Sequence, residues 1–366
     1  MIGSPDRGGI LSRVLIKIVI LVFFSIILCY LMLKLTVCWD EREVARTFLV
    51  TIFQYFLSAG NQFSPDPRDL MLVLNGSLGF TVFNYRVQNQ FGAYLAGLIE
   101  SDGHINLPKN PNSTPRIEIT FHSINFPLAL KIMDLIEFGY IYPLKGQNAY
   151  RLVINNIQGL LRVVALVNGN FRTPKIASLH ALIMWLNLHS GSSILPLPSD
   201  GSPLIGNAWL AGFSEGDSNF FIQFSPRKLN SATGKLSKLR IVCRYSIEQR
   251  KVEPKFGGAT EPFMRLIASL FGVNLNTTTH HTPPRHYWAI YVSSRLGIQA
   301  VINYFDVFPL IGVKYLDYLD FRSAFTLIQQ GEHLNDSGQL IISSLKASIN
   351  KSRTQISWEH LSNFYT

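Results

Sequence analysis

One pattern occurs twice in this chain: YLAGLIESDGHI over residues 94–105 and WLAGFSEGDSNF over residues 209–220, aligned without gaps and separated by 217 − 102 = 115 positions. A pattern repeated once at that spacing predicts a duplicated domain, not a solenoid, and 366 residues give each copy enough chain to bury its own core. Behind each copy the hydrophobic periodicity changes in the same order. Arg116, Glu118, Thr120 and His122 alternate with Ile117, Ile119 and Phe121 as in a half-buried strand. Residues 127–139 are helical up to a glycine, residues 140–154 read as a hairpin turning at 145–148, and residues 157–169 as a helix closing at Gly169. The expected class is α+β, with the order αββαββα twice. Expected boundaries are 1–88 for an N-terminal extension, 89–190 for the first domain, 191–206 for a Ser-, Gly- and Pro-rich linker, and 207–366 for the second domain.

Small residues recur at every fourth position of the two repeat helices, at Ala93, Gly97 and Ser101 and at Ala208, Gly212 and Gly216. Such spacing lets two backbones approach closely. Tight packing of each helix in its own core is the plainer explanation for one copy; two matching copies favour an interface of Ala93 and Gly97 on Ala208 and Gly212. Asp102 and Asp217 each follow a stripe leucine by seven residues, so both carboxylates point toward that seam. They also sit in a last helical turn, where the dipole disfavours a carboxylate by about 0.3–1 kcal/mol, so a positive group is required nearby. A divalent cation with oxygen ligands, Mg²⁺ by default, is the natural partner for two acids at one seam. Glu100 and Glu215 lie about 200° round the helix from the direction of the aspartates and read as capping or surface acids, with metal ligation the lesser alternative.

The chain carries 33 Lys and Arg against 23 Asp and Glu, a net +10 that suits an extended anion such as nucleic acid, or a membrane surface. In the second half Lys238, Arg240 and Arg244 share one strand face while Leu239, Ile241, Cys243 and Tyr245 share the other, giving a basic sheet surface suited to a major groove. Three cysteines, odd in number and without CxxC spacing, argue against a zinc site or disulfide framework and read as reduced and mostly structural. Residues 14–35, apolar but for Ser25, Lys17 and Lys34, read as a transmembrane helix, followed by a Pro-containing linker at 61–69. The charges flanking that span would put the basic domains outside the organelle interior that holds DNA. Either residues 47–59 return the chain, or the extension is removed before Asn89, or it tethers the protein to the membrane. Removal is the expectation, with the extension dispensable for activity.

LAGLIESDG and LAGFSEGDS resemble the LAGLIDADG helix at its Leu, Ala, Gly and eighth-position acid, and the chain from about Asn89 to Arg353 resembles the two-motif, organellar intron-encoded homing endonucleases. The resemblance implies paired motif helices between two domains, four-stranded sheets straddling DNA like a saddle, a monomer, and location in a mitochondrion or a plastid. It implies site-specific, metal-dependent hydrolysis of double-stranded DNA, or else maturase assistance to a host intron RNA or nucleic-acid binding without cleavage. Metal ligation falls to Asp102 and Asp217, with the carbonyls of Ser101 and Gly216 beside them. Lys314, in FPLIGVKYLDY, matches the family's active-site lysine, and Lys175, in FRTPK, is its weaker counterpart, better suited to phosphate contact. DNA contacts fall to Arg116, Glu118, His122, Lys145 and Gln147 in the first half. In the second half they fall to Arg227, Lys228, Lys238, Arg240, Arg244, His281 and Arg285. Two departures stand out: Ser218 replaces the glycine that follows the second acid, and Ser214 replaces an apolar residue. A left-handed turn at Ser218 would be costly, although Asn219 could take it up.

His280, His281 and His286 lie at an expected hairpin tip with no acid or cysteine to complete a metal site. No GxxxxGK[ST], GxSxG or HExxH motif occurs, which removes support for NTPase, serine hydrolase and zincin readings. The basic segment 343–354 is expected to track phosphates.

Overall fold

The computed structural model describes residues 90–363, apart from 111–112, 226–228, 230, 232–233, 235–239, 256, 281–283, 351–352 and 354–355. The expected span at 14–35, the linker at 61–69 and the candidate contacts Arg227, Lys228, Lys238 and His281 lie outside the described residues. Among those described, no helix is long and apolar enough to cross a membrane.

The first half runs α1 (90–101), β1 (Gly103–Asn106), β2 (Arg116–His122), α2 (Phe126–Ile136), β3 (Tyr140–Pro143), β4 (Ala149–Ile154), α3 (Ile157–Val167) and α4 (Ile176–Ser190). The second runs α5 (Trp209–Asp217), β5 (Ser218–Ser225), β6 (Arg240–Arg250), α6 (Glu261–Leu270), β7 (Asn276–His280), β8 (Arg285–Val292), α7 (Arg295–Val307), α8 (Lys314–Gln330) and α9 (Asp336–Ser348). Each half contributes one antiparallel four-stranded sheet, ordered β1-β2-β4-β3 and β5-β6-β8-β7. Matching register, Gly103 opposite Ile119 and Ser218 opposite Ile247, makes the halves two copies of one plan.

The alternation read in β2 is observed, with Ile117, Ile119 and Phe121 buried and their neighbours on the open face. Two helix ends differ from expectation. α2 stops at Ile136 because Glu137 takes the left-handed conformation at φ 70°, two residues before Gly139. α3 stops at Val167, since Asn168 turns extended and bonds the inter-half segment at Leu195 and Leu197. That segment is pinned further by Arg172, whose guanidinium pairs with Asp200 and donates to the Ser202 carbonyl at 2.6 Å.

α1 is buried on every face from Phe91 to Glu100, as is α5 from Trp209 to Glu215, as a helix pair packed between the two described halves requires. A Cβ at Gly97 would stand 2.0 Å from the Trp209 carbonyl oxygen, and one at Gly212 would stand 1.9 Å from that of Tyr94. The two backbones therefore touch, with no room for a methyl group on either side. Ala93 and Ala208 are buried on the same helices, and Gln90 closes the far end by accepting the Ala208 amide at 2.8 Å.

Candidate active site

The seam delivers Asp102 and Asp217 to one place. The Asp102 amide still bonds the Leu98 carbonyl at 3.0 Å, so the residue is fixed by the last turn of α1, and a Cβ on Gly216 would lie 2.7 Å from its Cγ. The helix ends thus stay in contact, through the side chains of Ser101 and Asp102, where the helix middles meet backbone to backbone. Asp217 is partly buried. Its carboxyl is pushed up to about 6, by lost hydration and then by the charge of Asp102, against Lys175, Lys314 and a hydrogen bond from Gln249. Asp102 has open accessible surface. Yet protein crowds its surroundings enough to hold its carboxyl above the usual range through lost hydration, opposed by Lys314 and Lys175.

The positive group demanded at each helix end is a lysine. Lys175 Nζ donates to the carbonyls of Gly103 at 3.0 Å, Ser101 at 3.1 Å and Ile99 at 3.4 Å. Lys314 Nζ donates to those of Ser214 and Ser218, each at 2.7 Å. Both ammonium groups therefore sit against carbonyls at a helix C-terminus, the negative end of the helix dipole. Burial lowers both lysine pKa values, against the pull of neighbouring carboxylates; for Lys175 the strongest pull comes from Asp217 of the other half. The two lysines hold equivalent positions, each at the end of its own half's motif helix.

Glu100 and Glu215 overturn the surface reading. Both are buried: Glu100 accepts the Arg172 and Thr173 amides at 3.0 and 2.6 Å, and Glu215 the Ile311 and Gly312 amides at 2.6 and 2.8 Å. The side of each helix about 200° from its aspartate faces the loop leading to the lysine, and not solvent. Burial pushes Glu100 up to about 7 against these hydrogen bonds, and Glu215 is likewise raised. Ser218 is corrected too. Its backbone is extended at φ −109°, so no left-handed turn is needed, and its hydroxyl donates to the Ser214 carbonyl at 2.8 Å. The Ser214 hydroxyl is buried against the Tyr245 phenol at 2.7 Å, so the polar replacement is satisfied.

On the first sheet's open face Arg116 lies 2.5 Å from Glu118, which Arg151 also approaches at 3.4 Å, so Glu118 is held between two guanidiniums. His122 accepts the Ile124 amide, and Lys145 and Gln147 are exposed in the β3–β4 turn. On the second sheet Arg240 is exposed, Arg285 is exposed opposite His280, and Arg244 lies over the rings of Phe221 and Tyr291 at 5.2 and 5.6 Å. Glu248 accepts from Tyr291 and meets His280 at 3.0 Å; neither it nor Tyr291 was singled out from sequence, although the alternation of β6 and β8 puts both on this face. Arg353, expected on phosphates, instead pairs with the buried Asp317 at 3.1 Å and with Asp320 at 2.6 Å, since a carboxylate buried like Asp317 needs a nearby cation. Cys243 is a free, buried thiol.

Residues 95–186 and 210–325 match the family model described as LAGLIDADG endonuclease. The chain is 32% identical over 253 residues to an uncharacterised cox1 intron-2 37.2 kDa protein of Schizosaccharomyces pombe, covering 68% of this chain and 70% of that one. It is 28% identical over 312 residues to the intron-encoded DNA endonuclease aI3 of Saccharomyces cerevisiae, covering 76% and 74%. Among solved structures, the I-LtrWI LAGLIDADG homing endonuclease bound to target DNA shares the fold at a TM-score of 0.53 and 17% identity, over 73% of this chain and 100% of that one.

Proposed function

The chain belongs to the LAGLIDADG endonuclease family, and from that premise we propose that it is a site-specific double-stranded DNA endonuclease of the intron-homing kind, working as a monomer with divalent cations between Asp102 and Asp217. The observation that carries the reading is the meeting of two carboxylates at one seam beside open accessible surface, each helix end capped by a lysine.

The donor set suits the metal. Among the described residues no cluster of three or more His, Cys, Asp or Glu forms an all-protein cage. Two carboxylates with the Ser101 and Gly216 carbonyls nearby are all oxygen, and Mg²⁺ is commonly held by one or two carboxylates together with substrate phosphates. A cation bound there supplies a Lewis acid that activates water and stabilises the leaving oxygen of a phosphodiester. The protein's own part is positioning. Gly97 and Gly212 bring the acids together, and the lysines offset the helix-end charge beside each of them. The open sheet faces carry Arg116, Lys145, Gln147, Arg240, Arg244 and Arg285 toward a duplex, where their charge supports phosphate contact and their side chains support base readout. The cox1-intron relative supports a mitochondrial location.

The test is plasmid nicking with Mg²⁺ beside a binding titration with Ca²⁺. Asp102→Asn and Asp217→Asn should each abolish cleavage and keep DNA affinity within a few fold, and undiminished cleavage by either variant would overturn the assignment.

A further inference from the structure

The most deeply buried acids of the site are not the aspartates. A carboxylate taken out of water is stable only when its oxygens are met by donors, and Glu100 and Glu215 are met in the same unusual way. Each accepts two consecutive backbone amides from the loop that carries its own half's lysine: Arg172 and Thr173 lie three and two residues ahead of Lys175, and Ile311 and Gly312 three and two ahead of Lys314. Each lysine then reaches back to carbonyls at the end of the helix that bears the glutamate. Beyond these loop donors, which for Glu100 include the Thr173 side chain as well, one donor in each half crosses the seam. The Trp209 indole N–H, from the second half, donates to Glu100 Oε2 at 2.6 Å, and the Tyr94 hydroxyl, from the first half, donates to Glu215 Oε1 at 3.1 Å.

We propose that Glu100 and Glu215 are positioning residues that set the two lysines, and that Trp209 and Tyr94 make each lysine's placement depend on the opposite half, Trp209 governing Lys175 and Tyr94 governing Lys314. This arrangement completes each helix-end cap only when the two halves are docked. The two clamps are unequal. Both oxygens of Glu100 carry donors, so an amide in its place must turn an NH₂ toward an N–H. Glu215 takes all its donors on Oε1, and its Oε2 is buried without a partner, so glutamine is tolerated better there.

The inference uses the nuclease reading only for what the lysines do to DNA, and its first measurement needs no cleavage. Full-length protein is treated briefly with an N-hydroxysuccinimide ester of acetate, and acetylation of Lys175 and Lys314 is quantified by mass spectrometry. Trp209→Phe should raise labelling of Lys175 about tenfold and leave Lys314 unchanged; Tyr94→Phe, which removes a single oxygen, should do the reverse. Glu100→Gln, nearly isosteric, should repeat the Trp209→Phe pattern if that variant folds poorly, and should exceed the effect of Glu215→Gln on Lys314. General loosening of the fold would raise both lysines together, and that outcome, or no change at either, overturns the proposal. The second measurement uses a cleavable duplex labelled on each strand. Trp209→Phe should slow the same strand as Lys175→Met, and Tyr94→Phe the strand slowed by Lys314→Met. Strand effects that follow the half in which the mutated aromatic lies would refute the crossed assignment. A wild-type protein that cuts no DNA would sink the nuclease reading alone, with the labelling pattern still deciding this one.

Discussion

Replacing Gly212 with alanine puts a methyl group where two backbones already touch. Its Cβ would lie 1.9 Å from the Tyr94 carbonyl oxygen and 3.0 Å from the Leu98 nitrogen, and neither atom can rotate away as a side-chain tip could. Restoring ordinary contact requires α1 and α5 to separate locally by more than about 1 Å, a shift of the size that overpacked cores meet at about 1–3 kcal/mol. The same shift stretches the Tyr94–Glu215 and Trp209–Glu100 hydrogen bonds, now 3.1 and 2.6 Å. Losing one such bond to a charged group costs a further ~1.5–3 kcal/mol. Alanine's better helix propensity returns about 1 kcal/mol, so the net destabilisation is about 1.5–5 kcal/mol. Urea denaturation of the full chain measures it, with Gly201→Ala as control because a Cβ there meets nothing within 4 Å. A Gly212→Ala midpoint coincident with wild type would refute the close-contact seam.

Two further outcomes follow from the charges. Asp217 has its carboxyl raised from 3.8 to about 6, so the folded state disfavours its ionised form; its favourable contribution is present below pH 4 and lost as pH rises to 6. Metal-free Asp217→Asn should therefore unfold with wild type at pH 4 and be more stable by about 1–2 kcal/mol above pH 6, a figure discounted for partial solvent access, while Mg²⁺ should stabilise only the wild type; thermal melts across that range would settle it. Arg353→Met should cost about 3–5 kcal/mol by leaving Asp317 unpaired and leave the salt dependence of DNA affinity unchanged, whereas Arg240→Ala should reduce that slope by about one.

The duplicated plan was legible because it rests on local rules: alternation in Arg116–His122, helical spacing around Ala93 and Gly97, and identical order in both halves. Helix ends were less so. The left-handed cap at Glu137 has no sequence signature, and the nearby Gly139 offered a plausible decoy. The site was legible in its acids and illegible in what holds them. Glu100 and Glu215 were assigned to solvent because a helical wheel gives direction without saying what lies in that direction. The loops that meet them are 72 and 96 residues away in sequence, and only tertiary structure brings those amides to the carboxylates. The same blindness made Arg353 look like a phosphate ligand, since a cation's partner across 36 residues is invisible to composition.

The two centres are related by duplication without being equal, and the inequality has a physical origin in the fused chain. At the interface the halves must match, because Gly97 and Gly212 each face the other's backbone and a side chain on either separates both. Behind the interface no such reciprocity applies. The strand after the first helix starts at Gly103, where a Cβ would stand 2.5 Å from the Ile99 Cα, so only glycine permits the approach. The strand after the second starts at Ser218, whose hydroxyl bonds the Ser214 carbonyl, and Ser214 in turn is satisfied by Tyr245. Lys175 is shared among three carbonyls and Lys314 between two, and Gln249 supports Asp217 on β6, where the matching position of β2 holds Phe121. A symmetric assembly of identical chains would have to accept one solution at both centres. One polypeptide can fit each centre to its own surroundings while the glycine seam keeps the two aspartates in register.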